Sequence, residues 1–225
     1  SVGTPVRSPV PAPAAIRPTT AAVRPVAPTP VAAPAPSTAA LSTVPSASTF
    51  DRYVDAARSG RLGLGDVTTL EEVTPDESSY SRSRAILLMN AQSKGDDTAT
   101  RRYLDELMAL PENQYNPVFL SDLARWYVNH GDYERALARA QTAERYWARL
   151  PSELVFAKKA EIYEVQAAAW QGRFYRTPEQ LDYLDNAIRT WERYEAHVAT
   201  KARTDLQTRA RNEIARLQSL REKLQ

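Results

Sequence analysis

The apolar residues of the chain after position 49 follow the spacing of amphipathic helices. The clearest case is 117–151, whose first half places its apolar residues three and four positions apart, on one helical face: Leu120, Leu123, Ala124 and Tyr127. A second run resumes after a short polar interruption and is made of small residues: Ala136, Ala140 and Ala143. Small side chains let two antiparallel helices approach closely, so the segment predicts a helical hairpin of residues 117–150.

The interruption is Asn129-His130-Gly131-Asp132, which predicts the turn of the hairpin. Glycine adopts the left-handed conformation that closes a helix. Aspartate accepts a hydrogen bond from the first turn of the following helix and so caps it.

This segment resembles the tetratricopeptide repeat, a partner-binding helical hairpin of about 34 residues. The residues that match its pattern are Gly131 and Tyr133 in the turn and Ala136 and Ala143 on the second helix, with Pro151 near the closing proline. The resemblance implies an all-α solenoid of stacked hairpins that binds proteins or peptides and is not an enzyme.

Two weaker copies flank the best one. Upstream, residues 80–111 carry an apolar run from Ile86 to Ala91, and Gly95 lies 36 residues before Gly131, although Arg84 and Thr100 depart from the residue types of the family. Downstream, residues 152–199 form a third predicted hairpin.

The third hairpin has recognisable helix boundaries in the sequence. Ser152 is predicted to cap a helix that includes Leu154 to Gln171, and Thr177-Pro178-Glu179 is predicted to begin its partner. Alignment of this hairpin with the central one requires an insertion of about eight residues that includes Gly172 to Thr177, from the repeat length of the family.

The last segment, residues 201–225, predicts a capping helix for the solenoid. Its apolar residues recur three and four apart within a charged sequence: Leu206, Ala210, Ile214, Leu217, Leu220 and Leu224. A stacked array needs a terminal helix with a polar outer face. A dimerising coiled coil is the alternative, but the apolar stripe is short for one.

Before the hairpins, an amphipathic helix is predicted from Phe50, Tyr53, Val54 and Ala57, followed by a flexible turn over Ser59 to Asp66. The three glycines of that turn are spaced G-x-x-G-x-G, no Lys-Ser/Thr follows them, and no strand precedes them. A nucleotide-binding loop is therefore excluded.

The N-terminal part of the chain has a different composition. Residues 1–50 hold eleven of the sixteen prolines, no acidic residue, and three arginines. We expect residues 1–48 to be a disordered linker, because such a segment lacks the apolar residues to build a core; a proline-rich ligand is the alternative. The chain begins with Ser1 and has no apolar run long enough to span a bilayer. Its composition is similar to that of an exported bacterial protein tethered upstream at a cell-envelope membrane, with a lipid anchor as one form of tether, and a cytoplasmic location is the alternative.

Charge and residue types limit the chemistry. Without the three arginines of residues 1–50, 26 basic residues face 27 acidic ones, which argues against nucleic acid as a partner. The chain has no Cys and two histidines, His130 and His197, with no zinc-site spacing. The pairs Glu71-Glu72, expected in a loop, and Asp96-Asp97, expected at a helix start, lack a catalytic context. We therefore predict no catalytic residue, metal or cofactor.

The resemblance also implies which residues face the concave binding groove. The repeat positions that reach it fall in the central hairpin on Val118, Ser121, Arg125, Val128 and Asn129, and in its neighbours on Arg82, Gln92, Glu161, Glu164 and Gln171. Arg125 and Asn129 lie one turn apart, so they are expected to hold a peptide together.

The sequence thus predicts a protein-binding adaptor: a linker of residues 1–48 and a tetratricopeptide-like domain of residues 49–225. The identity of the bound protein or peptide is not encoded in any motif. The alternative is an obligate subunit of a larger assembly, with outer aromatic contacts at Trp147, Trp170, Phe174 and Tyr175.

Overall fold

A computed structural model describes residues 47–225 of the chain, and these residues form helices without any strand among them. The nine α-helices are α1 (Ala47–Arg58), α2 (Leu64–Glu71), α3 (Tyr80–Lys94), α4 (Asp97–Ala109), α5 (Pro117–Asn129), α6 (Tyr133–Arg145), α7 (Ser152–Arg176), α8 (Leu181–Ala199) and α9 (Thr204–Lys223). Two 3₁₀ turns, Pro111–Asn113 and Trp147–Arg149, follow α4 and α6. The all-α fold class is confirmed for this part of the chain.

Helices that follow one another in sequence pack together from α2 onward, and some alternate helices also touch. The pairs α3 with α4, α5 with α6, and α7 with α8 are antiparallel neighbours, and α6 packs on α7 and α9 on α8. In addition, α1 contacts α3 and α5 contacts α7. The odd-numbered helices α5 and α7 therefore share one layer beside α6.

Three helices end in the same backbone motif. Gly60, Gly95 and Gly131 close α1, α3 and α5 with φ angles of 64°, 68° and 72°. In each case the glycine N–H bonds to the carbonyl three residues earlier, and the next N–H bonds to the carbonyl five residues before it, at 2.9–3.1 Å. The left-handed angle favours glycine at all three positions. The motif recurs at intervals of 35 and 36 residues.

An aspartate then caps the helix that follows in two of these turns. The Asp96 carboxylate accepts from the Ala99 N–H at 2.9 Å, and the Asp132 carboxylate accepts from the Arg135 N–H at 3.2 Å. The turn predicted at Asn129 to Asp132 therefore has the expected glycine and capping aspartate.

Two apolar clusters contain most of the buried side chains. The first joins α1–α4 to α5 and α6 through residues such as Leu104, Leu123 and Leu137. The second joins α7, α8 and α9 around Trp191 and Leu217. Smaller contacts among α5, α6 and α7, at Ala124, Ala140 and Val165 for example, connect the two. Small residues at the centre allow these three helices to approach closely.

The structure corrects the sequence prediction at α2. Residues 64–71 were expected to belong to a flexible turn and a polar loop, but they form a helix whose Leu70 is fully buried. A buried guanidinium satisfies carbonyls at and just after the C-terminal end of this helix: Arg84 donates to the carbonyls of Leu70, Glu71 and Val73 at 2.7–3.2 Å. Arg84 is 8% exposed and also pairs with Glu106.

The third hairpin also differs from its prediction. Helix α7 continues through Gly172 to Arg176 without an insertion loop. The N–H of Thr177 still donates to the helix carbonyls of Arg173 and Phe174. The side chain of Ser152 caps nothing, since it lies inside α7 and Pro151 holds the cap position. Helix α8 begins at Leu181, after a turn formed by residues 177–180.

Two further observations concern the ends of the chain. The linker predicted for residues 1–48 lies outside the described residues as far as position 46, and α1 begins at Ala47. The apolar residues Ala210 and Leu217 bury α9 against α8. No helix within residues 47–225 is long and apolar enough to cross a bilayer.

Candidate functional site: a cleft beside α3, α5 and α7

A well-defined cleft lies where α3, α5 and α7 approach the start of α4. It has a volume of about 640 Å³. Its lining is mostly polar: Gln92, Gly95, Asp97, Thr100, Asp122, Arg125, Trp126, Asn129, Lys158 and Glu161. The cleft is thus formed by consecutive turns of α5 and by one or two residues from each of α3, α4 and α7.

The floor of the cleft is a chain of charged groups. Lys158 on α7 contacts the carboxylates of Asp122 at 3.2 Å and Glu161 at 2.9 Å. Arg125 on α5 reaches Glu161 at 3.3 Å. The side chains of Asp122, Lys158 and Glu161 are at most 20% exposed, whereas Arg125 is 44% exposed. The guanidinium of Arg125 is therefore the most solvent-accessible of these four charged groups.

Burial determines how these groups titrate. Burial raises the pKa of Asp122, although the neighbouring Lys158 ammonium and a hydrogen bond from Gln92 oppose the shift. Burial disfavours the charged form of Lys158, but the carboxylates of Asp122 and Glu161 outweigh it and raise the pKa of this residue. The ammonium stays charged because it has two acceptors, as a buried cation requires.

The rim of the cleft is held by His130, the C-terminal cap residue of α5. Its ring stacks on the indole of Trp126 with centroids 3.7 Å apart. Its Nδ1 lies 2.7 Å from the Trp126 carbonyl, and its Nε2 lies 2.6 Å from the Asp97 carboxylate on α4. Both neighbours are acceptors, so only the doubly protonated ring satisfies both contacts. The Trp126 carbonyl, together with Asp97, raises the pKa of His130.

Four of the residues predicted to face a groove do line this cleft: Gln92, Arg125, Asn129 and Glu161. They come from three different helices and were chosen from repeat positions alone. The structure brings them together around one cavity.

The other predicted groove residues lie elsewhere. Ser121 is fully buried and donates its hydroxyl to the Val118 carbonyl at 2.9 Å, so it faces no ligand. Val128 packs on the apolar cluster of Ala124, Ala140 and Val165. Arg82 pairs with Asp51 at 2.9 Å and covers the Phe50 ring.

On α7, the remaining two predictions also lie outside the cleft lining. The Glu164 carboxylate accepts from Arg209 on α9 at 2.7 Å, so it joins the two helices. The side-chain amide nitrogen of Gln171 is buried and has no hydrogen-bond partner within the described residues. Neither residue is part of the cleft that contains Arg125.

Asp122, Lys158 and Trp126 contribute to the site but were not anticipated. Lys158 is three residues before Glu161 on the same helix, a spacing that places the two side chains together. That spacing was a readable signal. Asp122 lies between the buried residues Ser121 and Leu123, and no sequence pattern distinguishes it from a solvated helix residue.

The groups in the cleft are hydrogen-bond donors and acceptors of both charges. Guanidinium and ammonium donors, carboxylate acceptors and the side-chain amides of Gln92 and Asn129 match the groups of a polypeptide. The described residues contain no group of three or more His, Cys, Asp and Glu side chains that would hold a metal ion.

Comparisons of the chain with models of protein families, with curated proteins and with solved structures found no match. The tetratricopeptide assignment therefore stays a prediction that rests on the residues and the turn geometry.

Proposed function

We propose that the protein is a non-enzymatic adaptor that binds a protein or peptide partner in the cleft lined by Arg125 and Asn129. In this proposal α3–α4, α5–α6 and α7–α8 are tetratricopeptide-like hairpins of a solenoid, and α9 is its cap. The recurrence of the glycine turn at Gly60, Gly95 and Gly131 supports an internal repeat.

The observation that carries the proposal is the convergence of Gln92, Arg125, Asn129 and Glu161 on one cavity. A solenoid lines its concave face with the first helix of each hairpin. Here these residues come from α3, α5 and α7, which are the first helices of the three hairpins.

The chemistry of the cleft indicates the form of the ligand. An exposed guanidinium donates two parallel hydrogen bonds to a carboxylate. A side-chain amide can accept from the N–H and donate to the C=O of a peptide backbone. The carboxylates of Asp122 and Glu161 already balance the positive charge of Lys158. Arg125 is therefore the cation that can leave its contact with Glu161 and pair with a ligand instead. An extended peptide with an acidic group fits these donors.

A photo-crosslinking experiment tests the location of binding. A benzophenone amino acid replaces Gln92 in one variant and Ala138, which is exposed on α6, in a matched control. After affinity purification from the native extract, we expect the same partner to be crosslinked from position 92 and not from position 138. Crosslinking only from position 138 would contradict the proposal.

A second candidate function is that of a subunit in a larger assembly. Exposed aromatic side chains favour it: Tyr115 is 45%, Trp147 36% and Tyr175 54% exposed. Of the outer contacts predicted from the sequence, however, Phe174 is 3% exposed and Trp170 packs between both apolar clusters. An obligate subunit would aggregate or unfold alone, whereas an adaptor stays monomeric in size-exclusion chromatography.

A further inference from the structure

A second pocket lies at the α5–α6 turn, next to the cleft of Arg125, and His130, which contacts Trp126 and Asp97 of that cleft, is part of its lining. It has a volume of about 440 Å³ and is bordered by the turn, the last helical turn of α7 and the first turns of α8. Two arginines on α7, Arg173 and Arg176, line it together with Tyr133 and Tyr183. They lie three residues apart, a spacing that places two helical side chains on the same face.

Each guanidinium is supported by an aromatic ring. Arg176 lies over the ring of Tyr133 at 4.7 Å, and Arg173 lies over the ring of Tyr183 at 4.1 Å. Arg173 also donates to the Tyr183 hydroxyl at 2.7 Å. A guanidinium stacked on a ring is oriented before a ligand arrives and keeps the N–H donors of its planar edge accessible. In Arg173 one nitrogen already donates to Tyr183, so its other donors are the ones open to a ligand.

Gly131 makes room for Arg176. A Cβ at position 131 would lie 2.6 Å from Nη2 of Arg176, so the guanidinium occupies the space of a missing side chain. The left-handed φ of 72° already favours glycine here. The position therefore serves both the turn and the placement of the arginine.

The acidic side chains at this pocket do not neutralise Arg176. Within residues 47–225 no carboxylate pairs with it. Asp132 caps α6 and pairs with Arg135 at 3.3 Å. Glu134 contacts Arg173 at 3.6 Å with a side chain that is 81% exposed, a weak pair in solvent.

We infer that this pocket binds an oxyanion, a carboxylate or a phosphate group, on a polypeptide. The oxyanion lies between Arg173 and Arg176, whose forked donors match its oxygen atoms. Neither arginine lines the proposed peptide cleft, so this inference does not depend on the proposed function. A partner that occupies both places would gain from their linkage.

The test is a nuclear magnetic resonance titration of the ¹⁵N-labelled full chain. The probes are inorganic phosphate and two blocked tripeptides, Gly-phosphoserine-Gly and Gly-Glu-Gly. We expect saturable shifts of the Gly131 amide, with binding about tenfold weaker in Arg176→Gln. Preference for the phosphopeptide over phosphate and the glutamate peptide assigns the site to a phosphorylated partner, and preference for glutamate assigns it to a carboxylate.

A matched control is Arg52→Gln, since Arg52 is exposed and lies over the ring of Tyr53 at 5.4 Å but does not line this pocket. It is expected to bind the probes as the wild type does. If Arg176→Gln lowers the helical content, Arg176→Lys takes its place, because it keeps the charge but loses the fork. Shifts that do not saturate, or equal binding by the wild type and the Arg176 variant, would overturn the inference.

Discussion

The ring of Tyr133 at the start of α6 lies directly on the backbone of Gly172 in α7. A Cβ at position 172 would lie 2.2 Å from two atoms of that ring, far closer than non-bonded carbon atoms approach. The sequence predicts that this glycine belongs to an insertion, but it is buried within a continuous helix. Its role is to let the aromatic ring of one hairpin contact the next.

We expect Gly172→Ala to destabilise the protein by about 1–3 kcal/mol, because the Tyr133 ring must move out of a packed position. The control is the same change in a Tyr133→Ala background. There the clash is absent, and the higher helix propensity of alanine is expected to stabilise by up to about 1 kcal/mol. Urea denaturation gives the free energy of unfolding of the wild type, the two single variants and the double variant. Equal effects of Gly172→Ala in both backgrounds would rule out this contact.

The buried guanidinium of Arg84 gives a second prediction. It serves three carbonyls at the end of α2 and a carboxylate of α4. Arg84→Met leaves these acceptors buried without a donor, and we expect a loss of about 3–5 kcal/mol. Arg84→Lys is expected to recover less than half of that loss, since an ammonium lacks the planar fork.

The matched control for this prediction is Arg82→Met on the same helix. Arg82 forms an exposed pair with Asp51, so its loss is expected to change the free energy of unfolding by less than about 1 kcal/mol. The measurement is chemical denaturation, with hydrogen exchange of the α2 amides to locate the effect. Similar losses for the two variants would contradict the capping role of Arg84.

His130 gives a prediction about pH. Because the Trp126 carbonyl and the Asp97 carboxylate both accept hydrogen bonds from its ring, its pKa in the folded protein is raised above the ordinary value of 6.5. A raised folded pKa means that the stabilisation is complete below pH 6.5 and is lost as the pH rises through the folded pKa.

The ring resonances of His130 and His197 are the only histidine signals of the chain, so a two-dimensional titration separates them. We expect His130 to titrate above 6.5 and to titrate lower in Asp97→Asn, which removes the carboxylate. The melting temperature of the wild type is expected to fall as the pH rises above 6.5, and we expect this fall to be absent in His130→Gln. A wild-type His130 that titrates at or below 6.5 would contradict the contacts at the cleft rim.

The sequence predicted those parts of the fold that depend on local patterns. The turn at Gly131 follows from a glycine and an aspartate in series, and the amphipathic helices follow from spacings of three and four. Helix α2 could not be read in this way, because it has few apolar residues and its end is capped by Arg84 from a distant part of the chain. The continuity of α7 was equally hidden, since Gly172 weakens a helix locally and is explained only by the Tyr133 ring.

The candidate site was predictable to the same extent. Helical phase alone places Gln92, Arg125 and Asn129, and all three line one cleft, while their role in binding stays a prediction. The buried pair of Asp122 and Lys158 depends on how α5 and α7 approach each other, and tertiary packing decides that. Ser121 is buried and Val128 packs on an apolar cluster, because the core extends further around α5 than a single repeat implies.

The central claim is that a partner binds at Arg125 and Asn129. The most direct measurement is the affinity of the purified partner for the double variant Arg125→Ala plus Asn129→Ala, determined by calorimetry. The control is Arg139→Ala plus Gln141→Ala, which removes the same types of group from exposed positions on α6. We expect the cleft variant to lose about 2–4 kcal/mol of binding free energy while its helical content stays unchanged, and the control to bind as the wild type does. Undiminished binding by the cleft variant would contradict the account.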